Sequence, residues 1–148
     1  MAFHFSLSGV LRLRESLENA ELQQLRAIAA AVAFSRAELD SLDKDIETAR
    51  RWTLDATATR GLTGAELHFE VLRDGVLRAV RSSLAEKLTG LERKREAQQQ
   101  RYLHARQQRE ILSNLYQRQL AAYRLQQSRR EQQRLDELFV IRSNFTAP

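Results

Sequence analysis

The only proline in this chain is its last residue, Pro148. Nothing before it locks φ or removes a backbone donor, so a helix can continue for as long as its side chains allow. Leu, Ala, Arg, Glu and Gln dominate the 148 residues, the composition of long helices. A β-sandwich would need regular turn residues between β-branched and aromatic strands, and aromatics make up only 7% of the chain. The strong break is Arg60-Gly61-Leu62-Thr63-Gly64, with two glycines within four residues. Thr63 and Glu66 stand at capping-box spacing, so Thr63 is placed to open a second helix. The expected organisation is one coiled-coil domain over residues 1–148. It has helix one at about 8–58, a turn at 59–63, helix two at about 64–140 and a frayed tail at 141–148.

Apolar periodicity predicts how the helices pair. In helix one a seam can be drawn through Val10, Leu13, Leu17, Glu21, Leu25, Ile28, Val32, Ser35, Leu39, Leu42 and Ile46. Helix two offers Leu77, Val80, Leu84, Leu88, Leu91, Arg95, Gln98, Tyr102, Ala105, Arg109 and Leu112. The steps are mostly alternating threes and fours, the repeat of a left-handed coiled coil. Folding the chain at Gly61 sets Ile46 against Leu77, Leu39 against Leu84, Val32 against Leu91 and Val10 against Leu112. This is an all-α fold, a long two-helix antiparallel coiled coil. Toward the termini the seam takes in Arg95, Gln98 and Arg109, so that half should be closed partly by long polar side chains.

The arms are unequal, at roughly 75 Å and 115 Å, so helix two overhangs helix one. With the turn at Gly61, Ser8 lies opposite Asn114, and residues from Leu115 onward are expected to lack a partner within the chain. That overhang nevertheless carries Leu115, Tyr116, Leu120, Tyr123, Leu125, Leu135, Leu138 and Phe139. An unpaired apolar stripe calls for a partner elsewhere. The net charge of +5 is also concentrated here. Between Arg93 and Arg134 eleven basic residues face three acidic ones, so this stretch is +8 and the remainder −3. Such a stretch suits an acidic protein surface, an acidic membrane or nucleic acid, or simply a solvated helix face. Stacking aromatics for single-stranded nucleic acid are few, namely Tyr102, Tyr116 and Tyr123.

Catalytic patterns are missing. There is no cysteine, which excludes a disulfide scaffold and a cysteine nucleophile. His4, His68 and His104 share no helical spacing for a metal, so neither metal nor cofactor is expected. The Arg60–Gly64 turn lacks the lysine of a phosphate-binding loop, and no serine sits in a nucleophile elbow. A two-helix rod has no deep pocket, and no enzyme activity is expected. The longest apolar run, Ala27 to Phe34, has eight residues, against about 20 needed to cross a bilayer. Arg12 and Arg14 interrupt the only apolar N-terminal stretch, so no secretory signal is expected.

Three segments resemble one family. Phe3-x-Phe5-x-Leu7 with Val10-Leu11-x-Leu13-Arg14-Glu15 and Glu18, the Gly61-Leu62-Thr63 turn, and Glu131-x-x-x-Leu135-Asp136-Glu137-Leu138 are similar to the flagellar export protein FliJ family. Length and hairpin architecture agree over the whole chain, and the injectisome stalks of type III secretion look similar. The resemblance implies a cytoplasmic component of the flagellar type III export apparatus, peripheral at the inner face of the cell membrane. It implies a likeness to the central stalk of rotary ATPases, with the export ATPase FliI, the export gate protein FlhA and the export chaperones as partners, and no nucleic acid. The gate contact would fall on exposed apolar residues early in helix two, here Leu72 and Val76. Leu72 could alternatively belong to the hairpin seam opposite Ala49. Arg73, Asp74 and Gly75 depart from the bulkier family pattern. For such a stalk, the end holding both termini is the one to enter the ATPase ring. The expected ring contacts are Leu125, Arg129, Arg130, Leu135 and Leu138, with Leu13, Arg14 and Leu17 on the facing helix. A generic coiled-coil adaptor and a basic nucleic-acid-binding helix are the alternatives.

Overall fold

The computed structural model describes residues 2–145. Two helices carry almost all of them, α1 (Ser8–Thr59) and α2 (Gly64–Phe145), with no strand among the described residues. Their junction follows the local chemistry. Gly61 has φ of +73°, a left-handed conformation in which a Cβ would be strained. Immediately after it the capping box closes in both directions. Thr63 N donates to Glu66 Oε2 at 2.9 Å, and Glu66 N donates to Thr63 Oγ1 at 3.2 Å. Arg60 adds its guanidinium to the same carboxylate. These bonds hold the Glu66 carboxyl below the ordinary carboxylate range, the Thr63 amide first among the causes and Arg60 next.

The chain groups into two compact units. Residues 20–102 form one, built from the part of each helix nearer the turn. Thr53 Oγ1 donates to Glu70 at 2.9 Å and Arg81 grips Asp43 with two nitrogens, which centres this antiparallel pair on residues 61–62. Val32, Ser35 and Ala56 are buried from α1, and Gln98 from α2. The α1 stripe turned inward is Glu21, Leu25, Ile28, Val32, Ser35, Leu39, Leu42, Ile46, Ala49, Thr53 and Ala56, an unbroken alternation of fours and threes. Val80, expected in the seam, is exposed, and its neighbour Arg81 takes the cross-helix contact.

Residues 1–19 and 103–148 form the other unit, of which 2–19 and 103–145 are described. Here the expected seam is corrected. Val10, Leu13 and Leu17 are exposed, and the half-buried positions are Leu7, Leu11, Arg14 and Glu18. The helix is turned by one residue, about 100°, from the apolar choice. The ion pair between Arg109 and Glu18 accounts for it. Arg109 Nε donates to Glu18 Oε2 at 2.6 Å and Nη2 to Oε1 at 3.2 Å, and this two-pronged bond needs Glu18 facing α2.

The start of the overhang is also corrected. Tyr116 and Tyr123, expected to lack partners, are covered by residues that precede α1. Phe3 meets both tyrosine rings and Phe5 meets Tyr116. Phe5 is 4% exposed, the most buried aromatic side chain of the described residues. Outside a helix the chain can advance about 3.3 Å per residue rather than 1.5 Å, so a few non-helical residues reach along two turns of α2. The uncovered arm therefore begins at Ser128, from which every residue to Phe145 is exposed. Helix α2 continues to Phe145 rather than fraying from residue 141. Arg142 suits the negative end of the dipole, and Ser143 Oγ donates to Val140 O at 3.0 Å. Positions 146–148 of the expected tail lie outside the described residues.

Candidate partner-binding faces

Within residues 20–102, the apolar residues early in α2 divide between the hairpin interior and its outer faces. Glu70 and Leu77 face α1, as the Thr53 contact requires. Leu72 is two residues, about 200° of helix, from Glu70 and so lies on the back of α2. It is 57% exposed and Val76 63%, so Leu72 is not a seam residue opposite Ala49. Phe69 and Trp52 are exposed beside them, and with Arg73 they line a shallow groove on one flank. Leu54, Leu67 and Val71 line a second groove on the other flank. Phe69 and Trp52 were missed by periodicity because both fall outside the seam. The detectable signal was Phe69, Leu72 and Val76 at helical spacing on a face that the coiled coil does not use.

The other candidate face belongs to residues 103–145. Leu125, Arg129, Arg130, Leu135 and Leu138 are all exposed along α2. Phe139, Val140, Ile141 and Phe145 extend the apolar surface to the end of the described helix. Leu13 and Leu17 are exposed on α1, whereas Arg14 is half-buried. These two groups are not brought together. Glu18 is opposite Arg109, and Phe5 is opposite Tyr116, so residues 13–17 run alongside a part of α2 well before Leu125.

Electrostatics locks this unit. Hydrogen bonding from Arg109 holds the Glu18 carboxyl below its ordinary range, with the nearby Arg106 charge adding to it, and Glu18 in turn raises Arg109. A carboxyl depressed by folding stabilises the fold above its unfolded value, about 4.3, and loses that contribution as pH falls through the folded value. Residues 2–19 should therefore gain amide exchange below about pH 4. Measurement by mass spectrometry should show this gain flattened in Glu18→Gln. An acid response identical in the variant would assign the loss to other carboxylates.

Among the described residues no group of His, Cys, Asp or Glu is arranged to hold a metal ion, and no helix is long and apolar enough to cross a membrane. A hairpin of two helices with polar contacts across its seam and exposed apolar faces defines a coiled-coil protein. The family model for the flagellar FliJ protein matches residues 3–145, and the chain belongs to that family. It is thus a component of the flagellar export apparatus. No curated protein and no solved structure matches the chain.

Proposed function

We propose that this chain is the stalk-like element of its flagellar type III export apparatus. It engages the ring of the export ATPase FliI through the arm of α2, and the export gate protein FlhA through the face carrying Leu72 and Val76. It helps to hand over chaperone–cargo complexes, and is held at the inner face of the cell membrane by these partners. The observation that carries the reading is the arm from Ser128 to Phe145, exposed at every residue yet studded with Leu135, Leu138, Phe139, Val140 and Ile141. Apolar surface of this extent on a helix marks a site that another protein covers. Arg129, Arg130 and Arg134 stand along it and suit an acidic ring lining. Leu13, Arg14 and Leu17 on α1 serve as separate ring contacts, at a distance from the arm.

The test is turnover of an export ATPase from the same source. The wild-type chain should raise hexamer formation and ATP hydrolysis, and Leu135→Asp/Leu138→Asp should remove at least about tenfold of the apparent affinity, the loss of two anchor residues. Leu72→Asp/Val76→Asp should leave that stimulation intact while abolishing retention of the gate protein. An ATPase indifferent to the wild-type chain would sink the proposal.

A further inference from the structure

The N-terminal residues do more than begin α1. Phe3 is half-buried, His4 exposed and Phe5 buried, so alternate side chains turn toward α2. The Phe5 ring sits edge-on to Tyr116, at 5.2 Å between centroids and 81° between planes. Phe3 lies between the two tyrosines, 5.6 Å from Tyr116 and 5.5 Å from Tyr123. Tyr116, Leu120 and Tyr123 fall on one side of α2, and all three are half-buried. The strap runs opposite to α2, Phe5 at the earlier tyrosine and Phe3 reaching the later one. Edge-to-face and tilted ring pairs at these separations are favourable and depend on orientation, so the face selects ring spacing rather than mere bulk.

We propose that the Tyr116–Leu120–Tyr123 face is a peptide-recognition groove, occupied in this structure by the chain's own Phe3-His4-Phe5 and open in exchange to a non-helical segment of a partner protein carrying phenylalanines two residues apart. The occupant's chemistry is read from the segment now seated there. The strap lies outside both helices, and the residues before α1 are tied to it by backbone bonds from Ser8 N to Phe5 O at 3.2 Å and from Leu11 N to Leu7 O at 2.9 Å. Tethering gives the strap an effective concentration of about millimolar, so only a segment held nearby or making added contacts displaces it. Exposed Leu125, two residues past Tyr123, stands beside the groove to supply such a contact. Its test uses none of the residues assigned to the ring and gate contacts.

The probe is a fluorescent peptide of residues 2–8 of this chain. Binding to the full-length Phe3→Ala/Phe5→Ala variant should be at least tenfold tighter than to wild type. A peptide with both phenylalanines replaced by alanine should not bind, and Tyr123→Ala added to the variant should remove binding. Hydrogen exchange reports the fold of residues 103–127 in each variant. In the wild-type chain, millimolar peptide should raise exchange at residues 3–8, a readout that does not depend on any variant folding. Equal binding to variant and wild type, or no rise in exchange at millimolar peptide, overturns the proposal and leaves the strap a permanent part of the fold.

Discussion

Val32→Asp should lower the stability of the unit formed by residues 20–102 by about 3–4 kcal/mol, whereas Phe34→Asp should change it by less than about 0.5 kcal/mol. The two positions are neighbours in sequence and opposites in environment. Val32 is 2% exposed, packed in the layer that also holds Ser35, while Phe34 is largely exposed. A carboxylate at position 32 would lose its hydration in the most buried layer of this unit. At position 34 the same carboxylate meets water. Urea unfolding followed through Trp52, which lies in the same unit, separates the two cases by midpoint at constant slope. A comparable loss at both positions would mean that Phe34 is covered in solution.

The second large effect concerns the polar layer. Gln98 is 5% exposed, and its Nε2 donates to the Glu21 carbonyl at 3.1 Å and to the Glu21 carboxylate. Gln98→Ala should cost about 2–3 kcal/mol, through the lost bonds to a charged group and the space left behind. The paired change Gln98→Leu/Glu21→Leu should instead add about 1 kcal/mol, because two well-packed apolar side chains need no desolvation of a carboxylate. What the paired change gives up is register. An apolar pair tolerates a slip of one heptad that would strand a buried amide, the role a single polar residue plays in coiled coils. Nitroxide labels at the exposed positions Gln24 and Gln99 should report one distance in the wild-type chain and a broadened set in the leucine pair. A single unchanged distance would show that the apolar layers alone set the register.

Legibility from sequence followed the apolar content of each layer. The turn was readable because Gly61 and the Thr63–Glu66 pair have local meanings that need no tertiary context. Around Val32, Leu39 and Ile46 the seam was readable because burial there coincides with hydrophobicity. Nearer the termini the same three–four alternation continues through Arg14, Glu18 and Glu21, where side-chain type conceals it. Val10, Leu13 and Leu17 stand one position earlier with the same spacing, so periodicity alone preferred them. Only the Arg109 contact to Glu18 distinguishes the two choices, and it is a pairing across more than ninety residues that no local window contains. The aromatic strap escaped for another reason: a non-helical segment has no helical period, and Phe3 and Phe5 were legible as a family pattern rather than as a contact with Tyr116 and Tyr123. Of the candidate faces, the apolar arm was visible as leftover hydrophobicity, but its true start at Ser128 depended on the strap.

The four-residue junction at residues 60–63 also sets the order of assembly. Thr53 finds Glu70 across only 17 positions, whereas Arg109 must find Glu18 across 91. Loop closure becomes more costly with length, but only logarithmically, so the decisive factor is that a short loop lets pairing nucleate and then zip. During synthesis the first hundred residues can pair about Gly61 while the rest is still being made. The contacts of Phe3 with Tyr123 wait until the second helix is nearly complete. The strap and the Glu18–Arg109 pair are therefore among the last native contacts to form, closed only when the far end of the second helix has been made.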